Sequence, residues 1–169
     1  EKEVLASVRP EPATPAGQVH WQAFGLDLLT RSGGILEHCT ADPAFAQFNF
    51  SSGRRRVWER FSRRGLVPQW LTEPVGQWQR RTAPRGFRVV FERDQDRHGH
   101  TVSWLRSERS ALRFADLWLG RRQFEAAAWR CPRDGRVYQL SREAPRPNTA
   151  AVAGPPIALR CCADLEVTL

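Results

Sequence analysis

Between Gln18 and Thr30 the chain opens with period-two alternation at Val19, Trp21 and Ala23, then shifts to helix-like spacing at Trp21, Phe24 and Leu28. Gly25 suits the interior of neither element, and the balance of spacings predicts a helix. Ser32, Gly33 and Gly34 make a turn, and Asp42 followed by Pro43 predicts the start of a short helix over PAFAQF. In SGRRRVWERFSRRG, Ser52 is placed as an N-cap and Gly65 as a stop. Val57, Trp58 and Phe61 then form a docking stripe at helical spacing, so Trp58 is expected in the core. Pro68 and Pro74 forbid one long continuation; a loop and a short helix from Thr72 follow, with Trp70 and Trp78 inward.

After Pro84 the period falls to two. Phe87, Val89 and Phe91 alternate with Arg88, Val90 and Glu92, the polar run DQDRHGH intervenes, and TVSWLRSE completes a hairpin. Ser110 caps a predicted helix over ALRFADLWL, ended by Gly120. FEAAAWRC and RVYQLSRE, joined by PRDG, form a second hairpin on the strength of Asp134–Gly135. Residues 144–156 read as a Pro and Ala loop, and IALRCCADLEVTL as a strand with Leu165, Val167 and Leu169 on one face. With three prolines within six positions, residues 1–17 read as a flexible Pro-rich tether. The expectation is an α+β fold: a mainly helical N-terminal half packed on an antiparallel sheet of about five strands in the C-terminal half. Residues 18–169 would then form a single globular domain.

Charge changes this picture more than composition does. The 169 residues carry a net +8, with 25 Arg to a single Lys, a skew that a GC-rich coding bias explains without special chemistry. Residues 51–90 hold ten arginines against Glu59 and Glu73, so this segment carries the whole net charge. A helix over 53–64 would gather Arg56, Arg60, Arg63 and Arg64 opposite the apolar stripe. Arg54, Arg55, Arg80, Arg81, Arg85 and Arg88 extend the candidate nucleic-acid-binding set. The leading expectation is a non-enzymatic basic protein that binds nucleic-acid backbone, RNA or DNA, or serves in a ribonucleoprotein particle. An acidic protein surface is the alternative partner, for an extracytoplasmic or assembly-subunit module whose four cysteines and non-Met first residue, Glu1, fit a disulfide-stabilised chain. No stretch approaches the roughly 20 apolar residues of a transmembrane helix.

Candidate chemistry is sparse. Cys39, Cys131, Cys161 and Cys162 contain no CxxC pair; free buried thiols rank ahead of disulfides and of a metal site, and no cofactor is assigned. Glu92, Asp94 and Asp96 alternate onto one side of an extended chain, which is first of all a polar hairpin tip. Joined to His98 and His100, Asp94 and Asp96 frame a third reading, a metal-dependent phosphodiesterase or nuclease with Tyr138 or Ser103 as nucleophile. His20 and His38 have no assigned part. The hydrolase elbow, P-loop, dinucleotide fingerprint and zincin helix are all missing from the sequence, and no catalytic residue is assigned.

Overall fold

The computed structural model describes residues 17–52, 57–109, 121–145 and 156–169. Along them run β1 (Gln18–Ala23), β2 (Leu26–Arg31), β3 (Gly34–Ala41), β4 (Phe45–Ser52) and β5 (Val57–Arg64). Two short helices follow, α1 (Val67–Trp70) and α2 (Val75–Thr82). The remaining strands are β6 (Arg88–Arg97), β7 (His100–Arg109), β8 (Arg122–Arg130), β9 (Val137–Pro145), β10 (Ala158–Cys162) and β11 (Leu165–Thr168). They form a four-stranded sheet in the order β1-β2-β10-β11 and a seven-stranded sheet in the order β3-β4-β5-β9-β8-β7-β6, with every pairing antiparallel.

The two sheets share one core. Leu26, Leu28, Leu159, Leu165 and Val167 of the small sheet meet Phe48, Phe50, Phe61, Val102, Ala127, Trp129, Tyr138 and Leu140 of the large one. Successive strand residues point to opposite faces, so the alternate residues of the large sheet face outward. Over β7–β9 that outer face is covered: Val67 and Trp78 of the helices lie on Ala128 and Val137, while Phe87 and Val89 pack near Leu105, Phe124 and Ala126. Toward the small sheet, buried Glu59 lies 3.2 Å from Arg31 and opposite Arg142 in the β5–β9 register. Burial pushes the Glu59 carboxyl up, and the two guanidinium groups offset only part of that rise.

The helical N-terminal half is therefore corrected: the chain there is strand, and α1 and α2 are the helices among the described residues. The 18–30 segment is the β1–β2 hairpin, turned by Phe24 and Gly25 at φ 52° and 71°, the left-handed pair that a two-residue hairpin turn demands. Asp42 does cap a turn, its carboxylate accepting the Ala44 and Phe45 N–H groups at 2.9 and 2.7 Å, but that turn joins β3 to β4 and starts no helix. Residues 57–64, expected as part of the basic helix, are the interior strand β5, hydrogen-bonded to β4 and β9 on either side. Trp58 and Phe61 thus lie on opposite faces: Phe61 is fully buried, whereas Trp58 is 43 % exposed. The short helix expected from Thr72 begins at Val75, and part of the expected loop before it forms α1, while the hairpins β6–β7 and β8–β9 stand where the sequence places them. The C-terminal strand is a hairpin, β10–β11. The tether (apart from Gly17), the helix expected over 110–120 and most of the 144–156 loop lie outside the described residues.

Candidate metal centre

Three hairpin turns meet at one end of the sandwich, each with cysteine or histidine beside it. His100 opens β7 directly after the His98–Gly99 turn, and Cys131 follows β8 ahead of the Pro132–Gly135 turn. Both continue the inward-facing row of Val102 and Trp129, which are register partners. Cys161 and Cys162 close β10. Adjacent residues of a regular strand would diverge, but the β10–β11 register slips between Arg160 and Cys162, and this bulge lets both thiols turn to the same site. Arg133 and Asp164 form an ion pair that ties the β8–β9 turn to the β10–β11 turn.

The donor atoms of His100, Cys131, Cys161 and Cys162 all lie within 4.8 Å of one another. His100 Nε2 is 3.6 Å from each of Cys161 Sγ and Cys162 Sγ, and the two sulfurs are 3.7 Å apart. A tetrahedral zinc ion with Zn–S of about 2.3 Å and Zn–N of about 2.05 Å would set S···S near 3.8 Å and S···N near 3.6 Å. The three edges among His100, Cys161 and Cys162 match one face of an ion-sized tetrahedron, and Cys131 Sγ lies within 4.8 Å of each of the three donor atoms. These edges are too long for a disulfide, and all four cysteines are free.

The surroundings suit a metal as well. His100, 2 % exposed, has its Nδ1 3.0 Å from the His98 carbonyl. A carbonyl only accepts, so Nδ1 carries the proton and Nε2 offers its lone pair to the sulfurs, the tautomer of a metal-bound imidazole. Burial raises the Cys161 thiol well above its ordinary value, and the Trp129 indole N–H beside it works in the other direction. That indole nitrogen is fully buried and has no hydrogen-bond partner among the described residues, an arrangement that a Cys161 thiolate would relieve. Burial also works against ionisation of Cys162, but N–H groups of Asp164 and Leu165 and the neighbouring thiols outweigh it, leaving that thiol below its usual value. On its cysteine side the cluster opens to a cleft of about 510 Å³ lined by Phe24, Gly25, Asp27 and Arg160, which gives an ion a way in.

The charged residues singled out from sequence are dispersed. Arg60 and Arg64 point outward from β5, whereas Arg63 points inward and is buried, its guanidinium against Gly25, so the expected single basic face of Arg60, Arg63 and Arg64 does not form. Arg80 pairs with Glu92 and Arg81 with Glu73. Arg85 and Arg88 lie at and after the turn into β6, and β6 stands four strands from β5, or about 19 Å at the usual strand spacing. Arg54, Arg55 and Arg56 lie outside the described residues. Asp94 and Asp96, register partners of Ser103 and Thr101, occupy the face opposite His100. His98 is exposed in the turn, Tyr138 is buried with its hydroxyl donating to Asp134, and His100 joins the cysteines. The structure thus brings together His100 and three cysteines that no sequence spacing relates. The available signal was position: each ligand flanks a hairpin turn. The sequence matches no protein-family model and no curated protein.

Proposed function

We propose that this chain is a zinc-binding β-sandwich protein in which His100, Cys131, Cys161 and Cys162 hold one ion that fastens the seven-stranded sheet to the four-stranded one. The observation that carries the reading is the match of the 3.6, 3.6 and 3.7 Å edges to tetrahedral coordination by nitrogen and sulfur. Three thiolates and an imidazole favour Zn²⁺ over the hard cations, which take oxygen ligands. Four protein ligands leave no position for water or substrate, so the ion's part is structural: it joins β7 and β8 to β10.

The test is elemental analysis of protein purified without chelator, followed by cobalt substitution. One zinc per chain is expected, together with the intense visible spectrum of tetrahedral thiolate-bound Co²⁺. Metal should be lost in His100→Ala and Cys131→Ser and kept in Cys39→Ser, because Cys39 lies on β3 outside the cluster. Metal-free protein, or equal metal content in all three variants, would refute the assignment.

A further inference from the structure

The outer face of β5 carries a second feature, independent of the metal cluster. Trp58, Arg60, Ser62 and Arg64 lie on the outer side of the strand at alternate positions, about 6.7 Å apart; Trp58 and Arg60 are exposed, Arg64 is half-buried and the Ser62 between the two arginines is buried. Trp58 is the one tryptophan among the exposed large apolar side chains of the described residues. Arg60 is exposed and donates a hydrogen bond to Asn49 Oδ1 at 3.2 Å, with no carboxylate partner among the described residues. Arg64 has none among them either: its guanidinium carbon sits 4.7 Å from the Phe45 ring centre and 5.8 and 5.6 Å from those of Trp70 and Trp78, and its Nε is buried without a hydrogen-bond partner among the described residues. The acids at the Trp58 end of this face are engaged. Glu143 takes Arg122, and Glu37, in the β3 bulge, accepts the Ser51 hydroxyl.

We propose that this row is a binding surface for single-stranded nucleic acid, in which Trp58 stacks on a base while Arg60 and Arg64 meet backbone phosphates. Two guanidinium groups without a counter-anion among the described residues, one of them held by three aromatic rings, supply preorganised positive charge. The exposed indole selects among polyanions. A base has a π-face to stack on it, a carboxylate side chain has none, and in a duplex the base faces are already stacked on one another.

Fluorescence anisotropy of the full chain with labelled oligouridylate and oligothymidylate of about 15 nucleotides tests this, with a matched duplex and labelled polyglutamate as comparators. Single strands should bind most tightly at low salt, with log affinity falling by about 1.4 per decade of salt, the value for two phosphate contacts. Trp58→Ala should weaken binding about tenfold. Arg60→Ala should reduce the salt slope by about 0.7, one phosphate contact. Arg88→Ala, on the far edge strand, should bind within about twofold of the parent, with circular dichroism showing every variant folded. A preference between the two oligomers identifies the strand as RNA or DNA. Absence of single-strand binding, parental affinity in Trp58→Ala and Arg60→Ala, or polyglutamate bound as tightly as the oligonucleotides would overturn the proposal, the last in favour of an acidic protein partner.

Discussion

Removing the ion should loosen the sandwich by an amount the ligand positions allow one to calculate. His100 to Cys131, and Cys131 to Cys161, each span about 30 residues, and closing a loop of that length is worth about 3.6 kcal/mol in the chain-entropy treatment of cross-links. If the ion closes both loops, its loss costs up to about 7 kcal/mol; if the apo C-terminal hairpin alone detaches, it costs about half that. For a chain of this length the smaller figure lowers the melting temperature by about 7 to 14 °C. The assay is a thermal melt followed by far-ultraviolet circular dichroism, with and without a strong zinc chelator, on the parent, Cys131→Ala and Cys39→Ala. Chelator should lower the parent and Cys39→Ala alike, while Cys131→Ala should melt low from the start and be indifferent to chelator, because ligand and ion act as one unit. Full response to chelator in Cys131→Ala, or a parent shift under about 2 °C, would show that the cluster does not cross-link the sheets.

Phe61→Ala should cost about 3 to 5 kcal/mol, because Phe61 is fully buried and rests edge-on against Phe50, whereas Trp58→Ala should cost no more than about 1 to 2 kcal/mol; equal losses in urea titrations would restore a common face and refute the strand register. Because the folded-state pKa of Glu59 is raised, its contribution is fully present below the unfolded value of about 4.3 and is lost as pH rises through the folded value. Urea titrations across that window should show stability declining with rising pH in the parent, a slope missing from Glu59→Gln; the same slope in both would place its source elsewhere. Trp129→Phe keeps the buried ring while deleting the N–H beside Cys161, and should weaken zinc about 10-fold or more in competition with a chromophoric chelator at unchanged fold; unchanged affinity would remove the indole from the metal's surroundings.

The two hairpins β6–β7 and β8–β9 were legible in the sequence because apolar stretches flank a polar run ending in His98–Gly99 and a tight Asp134–Gly135 turn, although β6 bulges between Val89 and Phe91. Strand β5 was not, for a physical reason. Its inward row is Val57, Glu59, Phe61 and Arg63, so two of four core-facing positions are charged, while the exposed Trp58 supplies an apolar residue on the wrong side. The sum imitates a helical stripe. Asp42 shows the same ambiguity at smaller scale, since a carboxylate that caps two backbone N–H groups serves a hairpin turn as well as a helix. The metal cluster was illegible from spacing because its donors come from three hairpins and converge only through strand register and the β10 bulge.

The small sheet joins the first hairpin to the last: β2 pairs with β10, while all seven strands of the large sheet fall between them in sequence. During synthesis, therefore, β1 and β2 emerge from the ribosome well over a hundred residues ahead of the edge they must meet, at translation speeds of about 5 to 20 residues per second. Strands β3 to β9 can close into their sheet meanwhile, β9 arriving last to join β5 to β8. The apolar side of β1–β2 waits several seconds for its partner, as do His100 and Cys131 for Cys161 and Cys162. Nascent chains halted before residue 158 would hold a finished large sheet with half a clasp, and the ion would be captured only as β10 arrives.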